Sequence, residues 1–299
     1  MNHQLIGEFS ALAVAICWTA TALAFESASK KVGSISVNLI RLVMAMVFLS
    51  LFSWFTRGLP LPSDALAHQW FWLSLSGLIG FVLGDLCLFE SYTIIGSRFA
   101  MLIMTLAPPI TAVIGWLWLD EQLNLLSVAG IVITFLGIVL ATVGRGGAQE
   151  KLRLNMPLKG FLLALGGAVG QALGLVLSKI GMAGYDAFAA TQIRVITGII
   201  GFGAIVFFSG KIKQALSALG HPQGMAAITV GSFFGPFLGV SLSLFAVKYT
   251  ATGIAATIIS TIPILIIPPA VLIFKQKVTR KEILGALISV MGVALFFVK

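Results

Sequence analysis

Apolar runs of about 20 residues follow one another along this chain, separated by short polar stretches, and that length matches a helix crossing the hydrocarbon of a bilayer. Ten such runs are predicted, near 5–27, 35–55, 70–92, 97–119, 124–143, 158–180, 187–209, 224–248, 252–274 and 283–298. They are too long and too continuously apolar for the alternating strands of about ten residues that build a membrane barrel. Lipid offers the backbone no hydrogen-bond partner, so helices remain. The expected fold class is an all-α membrane protein with ten transmembrane helices.

The runs are also duplicated. Gly80, Gly84, Pro108, Gly130 and Gly137 reappear at one fixed offset as Gly235, Gly239, Pro263, Gly285 and Gly292. Upstream the offset is two residues shorter and pairs Gly7 with Gly160 and Arg41 with Arg194. The polar loops 56–69 and 209–223 are where such a change disturbs least. Two five-helix units are therefore expected, residues 1–147 and 155–299. Five is odd, so the second unit must enter the membrane from the opposite side. Inverted repeats of this kind are the architecture of many secondary transporters, with the substrate held between the halves at the bilayer midplane.

Composition agrees with burial in lipid: 59% of the 299 residues are hydrophobic, 10% are charged, and mean hydropathy is +1.06. Soluble domains carry about 25% charged residues. The net charge of +9 does not point to nucleic acid, because Lys and Arg sit in short connections and no aromatic-interleaved basic face exists. Cys17 and Cys87 fall within spans and are read as small apolar packing residues, with no metal site. Ala22-Leu23-Ala24 resembles a leader cleavage site, but Met1 to Gln4 carry no Lys or Arg and Glu8 follows early, so the first span is expected to stay.

Polar groups inside the spans carry the candidate chemistry, since each is costly there unless it pairs or lines water. Trp18, Thr21, Gln171 and Ser178 come from the first helix of each half. Gln171 is either glue between helices or a cavity group. Arg41 and Arg194 lie about seven residues into their spans, where they either snorkel to the interface or face a shared aqueous cavity that attracts carboxylate-bearing solutes. Tyr92 and Tyr249 are further cavity candidates, with interfacial anchoring as the alternative. Gly166, Gly167, Gly170 and Gly174 form a flat stripe suited to close helix approach. Ser63-Asp64 reads as a helix cap. Pro108, Pro109, Pro236 and Pro263 each remove a backbone donor within a span and are the candidate breaks or hinges.

Proton coupling would need an embedded carboxylate, and the candidates are Asp85, Glu90 and Glu26. Asp85 ranks first because it is deepest and its counterpart is Val240. Glu26 precedes Lys30 by four residues, which a helical ion pair explains. Glu90 is about 140° around the helix from Asp85 and need not face the same cavity. No GxxxxGK[ST] phosphate loop is present, so the energy source is an ion gradient or the substrate's own gradient, and no cofactor is implied.

Taken together, Trp18, Arg41, Arg194, the stretch LAPPITAVIGWLWLDEQLN and the closing motifs GIVITFLG and GALISVMG resemble the drug/metabolite transporter superfamily, specifically ten-span proteins with two EamA-type domains. The resemblance covers essentially the whole chain. It implies a membrane transporter of amino acids, metabolites or drugs, often an exporter, with both termini in the cytoplasm. The chain departs from the pattern at Gln276, which lysines flank where an acidic residue is usual. Charge also disagrees on topology. A cytoplasmic N-terminus would leave Arg57, Lys179, Lys248 and Lys299 on the inner side against thirteen Lys and Arg on the outer connections, which points to termini outside.

The expected activity is alternating-access transport of a small molecule, not an enzyme reaction, in a bacterial cytoplasmic (inner) membrane. Because both halves are fused, a monomer among membrane lipid suffices. Two alternatives differ in class: an intramembrane enzyme acting on lipid, for which His3, His68 and His221 lie too far apart in sequence to make a centre, and a non-transporting assembly protein.

Overall fold

The computed structural model describes residues 3–118, 125–146, 151–154, 156–239, 242–243, 258–273 and 275–295. Tyr249, Val240 and the acidic turn Asp120-Glu121 lie outside the described residues. Helix α1 spans His3–Val32 and hands over to α2, Ser34–Arg57, through the single residue Gly33 at φ 87°. Only glycine reaches that left-handed region without steric cost, which allows so short a turn. Arg57 closes α2, and the Gly58 N–H, on a residue at φ 72°, donates to the Trp54 carbonyl.

Helix α3 (Ala67–Ser76) continues through a π-helical stretch, Gly77–Gly84, into α4 (Asp85–Ile103). A 3-10 turn at Met104–Leu106 leads into α5, Ala107–Trp118. The apolar helical run Ala67–Ile114 is 48 residues long. Straight, it would measure about 72 Å, more than twice the thickness of a bilayer core. Gly96, at φ 78° and ψ 160°, breaks it instead. The Tyr92 hydroxyl reaches Met101 Sδ at 3.5 Å, so the chain doubles back there. This break separates the two runs expected at 70–92 and 97–119.

After α6 (Leu125–Thr142) the two units are joined by a ribbon in which β1 (Val143–Gly146) pairs antiparallel with β2 (Lys151–Leu154), in register from Val143 with Leu154 to Gly146 with Lys151. This short ribbon is confined to the linker, and among the described residues the fold is all-helical on either side of it. Gly144 and Gly146 are poor helix formers, and a two-stranded ladder gives the linker's backbone groups partners where the apolar run ends. The second unit has α7 (Leu158–Gly181), α8 (Ala187–Phe208), α9 (Ile212–Leu219), and α10 (Pro222–Ser232), which runs into π-helical Phe233–Gly239. It closes with α11 (Ile262–Leu265), α12 (Ile267–Leu272) and α13 (Arg280–Leu295).

Six helices among the described residues are long and apolar enough to cross a membrane. Exposed Phe9, Val47, Phe135 and Leu175 on several of them suit a lipid-facing surface. Two local expectations are corrected. Asp64 does not cap α3: Leu66 occupies that position, and its N–H donates to Gln69 Oε1 at 2.7 Å. The carboxylate is drawn away to Arg57 and the Tyr185 hydroxyl, two stronger partners. The loop expected at 209–223 contains the amphipathic α9, with Ala215 and Ala218 buried and Ile212, Leu216 and Leu219 outward.

Packing repeats the duplication in space. Gly80 and Gly84 in the first unit lie against Gly174 and Gly170 of α7 so closely that a Cβ on Gly170 would come within 2.6 Å of Gly84 Cα. The reciprocal contact joins Gly235 to Thr21 and Gly239 to Trp18 of α1. Thus each unit's first helix lies in the small-residue groove of the other's third. Gly137 meets Gly285 across the α6 and α13 seam, while Thr134 and Ser289, equivalent positions, each place a hydroxyl 3.4 Å from the other's carbonyl oxygen. Gly130 faces Gly292 in the same seam, so residue numbers rise along one helix as they fall along the other, and the two equivalent helices run antiparallel. A mutual contact between equivalent residues is what a two-fold axis produces. In the α2 and α8 pair, buried Leu42 and Leu49 pack with their equivalents Val195 and Phe202.

Candidate functional site

Between the two units lies a cavity of about 350 Å³. Its walls come largely as equivalent pairs: Trp18 with Gln171, Arg41 with Arg194, Phe81 with Pro236, Thr105 with Ser260, and Pro108 with Pro263. The matched helix breaks explain why. Pro108 follows the 3-10 turn at the start of α5, and Pro263 stands in the first turn of α11. A proline at either place interrupts the regular ladder and brings the neighbouring Thr105 or Ser260 to the cavity wall. The π-helical stretches do the same on the other side, bringing Phe81 and Pro236 to the lining.

The polar centre is asymmetric. Arg41 Nη2 forms an ion pair with Asp85 Oδ2, its Nε donates to Asn38 Oδ1 at 3.0 Å, and Gln171 Nε2 donates to the other Asp85 oxygen at 2.8 Å. Asn38 in turn donates to the Ser34 carbonyl at 3.1 Å, which fixes its orientation. The Arg41 guanidinium also stands 4.6 Å from the Phe89 ring centre. Arg194 is built differently. Its guanidinium lies 4.4 Å from the Phe81 ring centre, Nε has no hydrogen-bond partner, and none of the ion pairs or hydrogen bonds among the described residues involves its side chain. Phe81 therefore lies against two cations, of which Arg41 alone forms an ion pair among the described residues. Among the described residues, the charged side chains lining the cavity are two positive and one negative.

The remaining candidates fall at different places. Thr21 and Tyr92 line the cavity, with Thr21 Oγ1 returned to the Cys17 carbonyl. Ser178 does not line it and is corrected to a packing role: its hydroxyl bonds Gly174 O at 2.9 Å and Ser76 Oγ at 2.8 Å, satisfying it inside the helix contact. Glu90 accepts from Ser34 Oγ at 2.6 Å and is also outside the lining. Glu26 sits one residue beyond the lining Phe25, fully buried, and accepts from Ser97 N–H at 2.8 Å and from Lys30 at 2.5 Å. It pins the Gly96 turn. Pro109, unlike Pro108, is not part of the lining. Sequence reasoning missed Asn38 and Phe81. A signal for Asn38 existed, because it precedes Arg41 by three residues on one helical face. Phe81 is one of 22 phenylalanines and nothing distinguished it.

A family model described as the EamA-like transporter family matches this chain twice, over residues 5–143 and 158–298. The chain belongs to the EamA-like transporter family. It is a multi-pass membrane protein, and the duplication is a pair of EamA repeats. It is 30% identical over 113 residues to a Bacillus subtilis (strain 168) protein named "Uncharacterized transporter YvbV"; the match covers 38% of this chain and 33% of that protein. A solved structure described only as "Crystal structure of protein" shares the fold with a TM-score of 0.62 at 16% identity, over 98% of this chain and 95% of that one.

Proposed function

We propose that this EamA-family protein is a secondary transporter, an exporter of small carboxylate-bearing metabolites or amino acids from a bacterial cytoplasm. It works by alternating access of two inverted five-helix units, taken as 1–147 and 155–299. The observation that carries the substrate class is Arg194: a guanidinium on the cavity wall, stacked on Phe81, which among the described residues forms no ion pair. A guanidinium presents a fork that matches a carboxylate's two oxygens. The apolar surfaces of Trp18, Phe25 and Met104 would hold the rest of the solute, and a cavity of about 350 Å³ admits an amino acid or small metabolite. The antiparallel seam of α6 and α13 supports inversion, and the paired prolines at Pro108 and Pro263 support hinge points at matching depth.

Asp85 is the proposed proton-coupling group. An arriving carboxylate competes for Arg41 and leaves Asp85 partly unpaired, which favours its protonation in a low-dielectric site.

Counterflow of radiolabelled solutes in proteoliposomes tests the reading. Carboxylic amino acids and keto acids should exchange, whereas their amides should not. Arg194→Ala should cut carboxylate counterflow by about tenfold or more, with Arg194→Lys retaining part of it, since one charge-assisted bond is worth roughly 1.5–3 kcal/mol. Amides exchanging as fast as acids, or Arg194→Ala leaving acid counterflow unchanged, would overturn the substrate class.

A further inference from the structure

A second cavity, of about 380 Å³, lies apart from the one between the units. It is bounded by the end of α1, the Gly33 turn and the short helix α9, and its lining is mostly polar: Ser29, Lys30, Lys31, Gln214, Ser217 and His221. Three features of these residues converge. Ser29 is buried, yet its hydroxyl has no hydrogen-bond partner. Ser10, Thr19 and Thr21 on the same helix each return theirs to the carbonyl four residues back. Lys31 bonds a neutral amide, Gln223 Oε1 at 2.9 Å, and among the described residues no acidic side chain pairs with it. His221 accepts from Gly224 N–H through Nδ1 at 3.0 Å, which leaves Nε2–H as a donor. Hydroxyl, ammonium and imidazole donors gathered at one cavity suit a tetrahedral oxyanion.

The setting says where that anion comes from. Helix α9 carries Ile212, Leu216 and Leu219 on one outward face, with Lys211 and Lys213 beside them. An amphipathic helix flanked by lysines lies in the interface plane, its apolar face at the acyl boundary. The cavity therefore opens at headgroup depth.

We propose that this cavity binds the phosphate of an anionic membrane phospholipid, held by Lys31, His221 and the Ser29 hydroxyl, and that the bound headgroup ties the Gly33 turn to α9. It is independent of the transport cavity. Basic pockets between helices on the cytoplasmic side are of the kind that hold acidic headgroups.

The test uses the full chain in nanodiscs of phosphatidylcholine, with phosphatidylglycerol added at increasing fraction, and in a separate arm with inorganic phosphate. Lipid adducts are read by native mass spectrometry and stability by thermal unfolding. Phosphatidylglycerol should be retained and should raise the melting temperature above that in phosphatidylcholine. The Lys31→Gln/His221→Asn variant, in which Asn keeps the cap acceptor, should lose about tenfold in adduct occupancy while melting as the wild type does in phosphatidylcholine alone. Ser29→Ala should weaken retention in the same direction. Equal retention of both lipids, or unchanged retention by the double variant, would overturn the proposal. Protection by inorganic phosphate equal to that by lipid would overturn the lipid source and assign the site to a soluble anion.

Discussion

Among the described residues only Arg41 of the two equivalent arginines forms an ion pair, with Asp85, whose sequence counterpart in the other unit is Val240. Asp85→Asn keeps the hydrogen bond from Gln171 and the shape of the site but removes the charge and the group that titrates. Transport driven by a pH gradient should then cease, while counterflow, which needs no driving ion, should continue. Fluorescent pH-gradient assays beside counterflow in the same proteoliposomes separate the two. Loss of both with normal yield would make Asp85 a substrate-site residue. A second charged group sits far from this chemistry. Arg57 Nη2 holds Asp64 at 2.5 Å and Tyr185 donates to the same carboxylate at 2.8 Å, joining the two units by their loops. Burial pulls the Asp64 carboxyl upward, but the Tyr185 bond and the Arg57 guanidinium outweigh it and hold it below its usual range. Burial and the Asp64 bond push Tyr185 up to about 12. A lowered acid pKa stabilises above the unfolded value, about 3.9 for Asp, and that contribution is lost as pH falls through the folded value. The protection of residues 58–66 against hydrogen exchange, measured relative to Asp64→Asn, should therefore be constant from pH 8 to 5 and fall only in stronger acid.

Helices meet here wherever glycine removes a side chain, and that feature tells which parts of the fold the sequence could announce. The stripe Gly170 and Gly174 was legible from spacing alone, and it lies against Gly84 and Gly80 as such spacing demands. Segments 35–55, 124–143, 158–180 and 187–209 agree with α2, α6, α7 and α8 within two residues at each end, because apolar runs in lipid have sharp polar limits. What stayed hidden depends on contacts remote in sequence: the partner of Asp64, the packing role of Ser178, and α9, whose eight residues are too few for a hydropathy window. The site was legible to the level of which spans supply polar groups, but not which arginine forms the ion pair with Asp85, since nothing local separates Arg41 from Arg194. Two glycines offer sharp tests. Gly96 holds φ 78° and ψ 160°, a region nearly closed to other residues, so Gly96→Ala should cost about 1–3 kcal/mol and lower the melting temperature. At Gly285 a Cβ would come within 2.5 Å of Gly137 O, so Gly285→Ala should destabilise by a similar amount, about 1–3 kcal/mol, by prising α13 from α6. If both variants melt with the wild type in detergent, neither the turn nor the seam is as close as described.

At the scale of the whole molecule, charge is segregated by end. Lys30 pairs with Glu26, Glu26 accepts from Ser97, and the neighbouring Arg98 pairs with Glu282 and donates to the Lys277 carbonyl. Lys31 reaches Gln223, and Gln214 reaches the Val32 carbonyl, so α9 with Lys211 and Lys213 joins the same end. The opposite end carries the Arg57, Asp64, Tyr185 and Asp186 cluster, in which two acids face one arginine. Translocation disfavours moving short lysine- and arginine-rich connections across the membrane, so the Lys30 end is predicted to be cytoplasmic. This orientation places the N-terminus outside and opposes the one that the family resemblance implies. The cavity lies on the bilayer side of the Glu26, Ser97 and Arg98 contacts, which would then form its cytoplasmic closure, and export would require breaking them. Single cysteines at Lys213 and at Ser63, in a background with Cys17 and Cys87 replaced by Ala, decide the matter with an impermeant maleimide. Labelling of the Ser63 position in intact cells, with the Lys213 position labelled only after lysis, is the expected result. The reverse pattern would put the basic end outside, overrule the charge count, and move the proposed lipid headgroup site to the outer leaflet.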